Sequence, residues 1–333
     1  MSDELTKVRL YHIDRLKVLG LMLVILAHVD LPIWLAQIRS FDVPLLVFVS
    51  AYLARKSYKN CNICGYYRKR FFRLAVPAWI FAIVFWIVQS VVLTPPTLVD
   101  VLKGITFQRD TNMLGMLWVI WVYIVCALLI PIISRLNLKA KIQLAMLLFL
   151  FIYQVLCSCT DLAENRILYC SLFTIIPYGF ITYLGFFYRD MKTKNKSVLV
   201  ACSLVVFGII TAILWHKDGV AFPITDYKYP AQIYFLSYAI PIIVVLFETL
   251  PKFDRYNPSR LVQFISKSSL WIYLWHILVL YAVKLFIEDP AFWWLQYIIV
   301  IFVSVIITWI QNKTVEHLLS RYNKLKFLTI FKG

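Results

Sequence analysis

Apolar residues along the chain gather into long runs divided by short polar turns. The runs cover roughly 18–36, 41–54, 75–93, 114–134, 142–158, 170–188, 197–215, 231–247, 264–286 and 291–311. Most are about 20 residues long, the length that carries an α-helix across a hydrocarbon core of ~30 Å. In such a core each backbone N–H and C=O must be satisfied within the segment, so runs of this length read as helices. The pattern predicts an all-α, polytopic integral membrane bundle of about ten transmembrane helices, with 1–333 as a single transmembrane domain. The second run is short and carries Pro44 near its start, which predicts a tilted or partly re-entrant element. No internal repeat or low-complexity tract interrupts the series. The charged start of the chain meets no small-residue cleavage site, so the first span is expected to remain.

Composition strengthens this picture. Of 333 residues, 62% are hydrophobic and 15% charged, against roughly 45–50% and about 25% in soluble domains. The net charge of +17 invites a nucleic-acid partner, but its distribution argues otherwise. With a cytoplasmic N-terminus and alternating spans, 27 of the 34 Lys and Arg fall in the inner segments, at 7–17, 55–73, 135–141, 189–196, 252–267 and 313–332. Such asymmetry sets orientation during insertion. Both termini are therefore expected in the cytoplasm, in a multi-pass protein of the inner membrane that needs no nucleic acid. Of seven cysteines, Cys61 and Cys64 form a CxxC with no second pair to complete a zinc site, so no metal is expected. Cys157, Cys159 and Cys170 lie near the outer face, where an oxidising compartment would allow pairing.

Ionisable side chains within a span are costly and usually face the protein interior, which makes them functional candidates. The chain has few: His28 in the first run and His276 in the ninth, with Asp30 near the outer end of the first. On a continuous helix Asp14, Lys17 and His28 share a stripe about 60° wide, with Lys17 at the cytoplasmic edge and His28 roughly 16 Å deeper. That suits a ligand with an anionic head and a thin arm, and coenzyme A has this shape. A histidine bonded between helices and a plain Asp14–Lys17 ion pair are the alternatives. Arg70 and Arg73 project to one side of a helix, where two planar forks can grip phosphates; a cluster that only anchors the third span is the plainer reading. Ser269, Tyr273 and His276 share a face, either as a helix contact or as the wall of a cavity. Trp118 and Trp121 default to interface or packing roles.

In this order the residues resemble the acyltransferase 3 family, membrane enzymes that O-acylate carbohydrates and other exported molecules. That family has Arg or Lys, ten residues and then His in its first span, as Lys17 and His28 here, with Lys17 in place of the commoner Arg. Its next span commonly reads Phe-x-x-Ser-Gly-Tyr/Phe, comparable to Phe48, Ser50, Ala51 and Tyr52, where Ala51 replaces a usual glycine. Arg70, Arg73, Leu74 and Pro77 follow its basic segment, Leu117-Trp118 its middle span, and Ser269, Tyr273, Leu274 and His276 its late motif. The resemblance spans nearly the whole chain. It implies a cytoplasmic acyl-CoA donor and an acceptor hydroxyl. It also implies His28 as the catalytic residue, with Lys17, Arg70 and Arg73 binding the donor.

The expected reaction moves an acetyl group from acetyl-CoA to a hydroxyl of a cell-surface or lipid-linked carbohydrate. Removal from water favours a neutral imidazole, which suits His28 as general base, a role contributing roughly 10²–10⁴-fold. Asp30 or Asp42 is expected to orient the ring, and Ser50, Tyr52 and Trp118 are candidates for the oxyanion. A covalent acyl-enzyme is the other route. The rival reading is a lipid-linked sugar flippase or other multi-span transporter. Transporters favour paired halves and Gly- or Pro-broken helices, whereas this chain has no repeat and nine glycines.

Overall fold

A computed structural model of the chain describes residues 10–59, 62–92, 94–109, 113–159, 168, 171–219, 222–256, 258–322 and 326–332. Among them the structure is helical, with no strand. A helix stands at the centre of each predicted run except the first, whose centre falls in the turn after α1. α1 (Tyr11–Leu26) begins before the run and stops well short of residue 36. The flank Asp30-Leu31-Pro32 accounts for the stop, because proline lacks an N–H and denies helical geometry to the residue before it. The chain turns through 27–32, forms the short α2 (Ile33–Ile38) and returns as α3 (Asp42–Lys59). Pro44 lies in the first turn of α3, where its missing N–H costs nothing, and α3 runs for 18 residues, longer than the predicted segment.

α4 (Ile63–Val92) absorbs the basic segment before the third run, and α5 (Leu98–Ile105) is capped by Thr97 and Asp100. Next come α6 (Trp118–Ile133), α7 (Ala140–Cys159), α8 (Leu172–Phe187) and α9 (Thr193–Asp218). α10 (Ile233–Thr249), α11 (Arg260–Lys267), α12 (Ser269–Lys284), α13 (Trp293–Arg321) and a 3-10 turn at Lys326–Phe331 complete the order. Seven helices among the described residues are long and apolar enough to cross a membrane, or eight if α11 and α12, bent by 81° at their break, form one span. The first and sixth expected crossings fall outside that number because α1 and α8 have 16 residues each, roughly 24 Å of rise. α8 is buried along nearly its whole length, as a helix apolar on all sides should be.

α3 is the hub, packed against α1, α6 and α8. Its approach to α8 is close because Gly185 has no side chain: a Cβ there would lie 2.6 Å from the Phe48 carbonyl oxygen and 3.1 Å from the Ala51 Cβ. The glycine expected at position 51 is thus supplied from the facing helix. α7 and α9 turn Leu144, Leu148, Val205 and Ile209 outward, a surface suited to acyl chains. The Lys- and Arg-rich turns gather at one end of the bundle, hereafter the basic end. Ion pairs Arg55–Asp190 (2.5 Å), Lys196–Glu248 (2.8 Å) and Arg15–Asp254 (3.0 Å) tie successive turns there. Cys64, Cys157 and Cys159 are free thiols, while Cys61 and Cys170 lie outside the described residues.

Candidate active site

A cavity of about 670 Å³ opens among α1, α3, α4, α6 and α12 at the basic end. Its size is ordinary for a small-molecule site, but its charge is not. Lys17, Lys69, Arg70, Arg73 and Lys267 all line it, with no Asp or Glu among the lining residues. Ser50 and Ser57 of α3, Tyr123 of α6, and Ser269 and Tyr273 of α12 supply hydroxyls, and Thr329 of the final 3-10 turn reaches its edge. The three sequence candidates for donor binding (Lys17, Arg70 and Arg73) therefore meet, together with the further site candidates Ser50, Ser269 and Tyr273. Lys69, Lys267, Tyr123 and Thr329 were not anticipated in this role. Lys69 was legible, since it stands four residues before Arg73 on one helix face. Lys267 left no local signal, because the sharp bend between α11 and α12 directs it inward. Asp14 stays away from the cavity: it is buried, accepts from Ser266 Oγ at 2.6 Å and joins α1 to α11.

His28 occupies the turn after α1 rather than the helix itself, so the stripe expected with Asp14 and Lys17 does not form. It is not among the residues lining the basic cavity. Its partner is His276 of α12, which is 0% exposed. The His276 Nε2 lies 3.2 Å from the His28 Nδ1, with ring centroids 5.1 Å apart. Tyr273, at the cavity wall, places its ring centroid 4.9 Å from that of His276. The row from cavity to outer side is therefore Tyr273, His276, His28. Hydrogen bonding sets the tautomers. His276 Nδ1 meets the Tyr273 carbonyl oxygen, which only accepts, so Nδ1 carries the proton. His276 Nε2 then accepts from His28 Nδ1–H, and the lone pair of His28 is left on Nε2. His28 is partly exposed, and its Nε2 makes no hydrogen bond among the described residues. The Tyr273 hydroxyl donates to the Met116 carbonyl oxygen.

Neither carboxylate expected to orient His28 does so. Asp30 is drawn to Lys284 Nζ at 3.0 Å and Gln296 Nε2 at 3.4 Å. Asp42 is held by Arg39 and by Lys228 Nζ at 3.0 Å. Ser50 reaches the cavity, but Tyr52 does not. Its ring packs beneath the Arg189 guanidinium at 4.2 Å and against Phe247 at 5.3 Å, on the far side of α3. Trp118 precedes the cavity residues Val119 and Ile120 but is not itself in the lining, and it packs against Tyr178 at 6.4 Å and Tyr229 at 5.3 Å.

A helix bundle with one cationic chamber and a histidine pair behind it could serve several chemistries, so comparison with known proteins carries weight. No curated protein and no solved structure matches the chain. Residues 10–312 match the family described as an acyltransferase domain, and with nearly its whole length covered the chain belongs to that family of membrane acyltransferases.

Proposed function

We propose that the protein moves an acetyl group from acetyl-CoA, entering the basic cavity from the cytoplasmic side of the inner membrane, to a hydroxyl of a cell-surface or lipid-linked carbohydrate. Five cations in the lining suit the phosphates of the donor. The observation that carries the reading is the contact of His28 Nδ1 with His276 Nε2, from which a proton-free Nε2 on His28 follows. The acceptor O–H gives its proton to this nitrogen while its oxygen attacks the thioester carbonyl. The C–S bond then breaks, and the departing CoA sulfur takes the proton from His28. For the thioester to arrive there, the Tyr273 ring steps aside from its place between cavity and histidine pair.

The test is His28→Ala in membranes, scored for insertion, CoA binding and acetyl transfer from labelled acetyl-CoA to glycans. Transfer is expected to fall about 10²–10⁴-fold while insertion and CoA binding persist. Unchanged acetylation would remove His28 from the chemistry.

A further inference from the structure

Beyond the inner edge of the donor cavity lies a second polar cluster that donor binding does not use. Asp42 opens α3, one helical turn before the cavity residue Leu46 and about 22 Å of rise from Ser57 at the cavity's other edge. It is 1% exposed and is shared by two cations, Arg39 and Lys228, which are 7% and 3% exposed. Among the described residues, one carboxylate between two buried cations leaves a positive charge over, and a buried charge is costly until an anion completes it. Arg39 Nε is buried with no hydrogen-bond partner among the described residues. Clamps between the loops hold this arrangement: Gln37 exchanges hydrogen bonds with Thr225, and Tyr238 donates to the Ile38 carbonyl.

An aromatic platform adjoins the cluster. Lys228 Nζ lies 5.6 Å from the Tyr229 ring centroid, the exposed Arg109 guanidinium lies 4.3 Å from it, and Trp118 meets the same ring edge-on at 5.3 Å. Tyr229 is 39% exposed, so the platform is open to a ligand. Arg39 and Lys228 are within Coulombic reach of His28, and Tyr229 and Asp42 within reach of Tyr273. The cluster and the platform thus adjoin, and the field of their cations extends to His28.

From this we infer that these residues form the acceptor subsite, and that the acceptor carries an anionic group, a carboxylate on its sugar or a phosphate. The anion meets Arg39, Lys228 and Arg109, a sugar ring rests on Tyr229 and Trp118, and a hydroxyl is left at His28 Nε2. The inference rests on the proposed donor entry from the basic end.

The test uses the full chain in lipid nanodiscs at constant ionic strength, with CoA saturating the donor cavity so that anions cannot bind there. Thermal stability is followed against methyl glucuronide, methyl phosphate and the neutral methyl glucoside. At least one anionic probe is expected to stabilise the protein where the glucoside does not. A response to glucuronide alone assigns a sugar carboxylate, and a response to phosphate alone a phosphorylated or lipid-linked acceptor. Lys228→Met, which leaves Asp42 paired with Arg39, and the surface change Arg109→Gln should each weaken the anion response about tenfold and leave the shift with CoA intact. Equal shifts from neutral and anionic probes, or an anion shift indifferent to both substitutions, overturn the subsite. A missing CoA shift instead counts against the donor reading.

Discussion

A histidine can accept a proton only at a ring nitrogen that carries none, and at His28 that condition is imposed by a residue 248 positions away. His276 is itself constrained by the Tyr273 carbonyl on its own helix, so the tautomer is dictated by the backbone of α12. His276→Phe removes the acceptor for His28 Nδ1–H and frees the proton to sit on either nitrogen. It is expected to lower kcat about 10²-fold without changing KM for the donor, whereas His276→Gln, whose amide oxygen can accept, recovers part of the rate. Steady-state kinetics on the two variants check this, and a parallel rise in donor KM would mark His276 as merely structural. Sequence spacing pointed to His28, Lys17 and the Ser269–Tyr273–His276 face, yet it paired His28 with carboxylates. Asp30 stands two positions away, but Lys284 and Gln296 draw it aside, and no local pattern encodes that competition.

Helix centres followed directly from hydropathy, while helix ends followed from single residues. Pro32 and its flank cut α1 short and leave His28 in a turn; a continuous helix would have kept it on the lipid-spanning rod. The break between α11 and α12 has a like effect, swinging Lys267 to the cavity mouth. Between α3 and α8 the decisive feature is the absence of a side chain at Gly185. In Gly185→Ala the new methyl meets the Phe48 carbonyl oxygen, a backbone atom that cannot rotate away. A loss of about 1–3 kcal/mol is expected from this overpacking, seen as a lower unfolding midpoint in nanodiscs. Because α3 also carries Ser50 and Ser57, acetyl transfer should weaken as the helices separate. The missing glycine at position 51 was visible in the sequence, but its replacement on another helix was not.

Across the whole molecule, charge is sorted into a basic chamber and a separate buried cluster. The chamber joins cations from α1, α4 and α11, and the cluster joins Asp42 at the start of α3 with Arg39 and Lys228 from the adjoining turns. If the first chamber holds the donor, Arg70→Ala and Arg73→Ala should each raise KM for acetyl-CoA about tenfold and leave acceptor dependence nearly unchanged. Kinetics with each substrate varied in turn decide the matter, and equal effects on both would count against a donor site there. By itself the chain's order of residues determined a multi-pass helical membrane protein, its acyltransferase family and three of the five cations that line the basic cavity. These follow from hydropathy over about 20 residues and from short motifs, both local properties. Only the tertiary structure decided that His28 pairs with His276, that Lys267 faces the cavity, and that Lys228 shares Asp42 with Arg39. Those meetings arise from bends, close helix contacts and competition among distant charges, which no stretch of sequence contains.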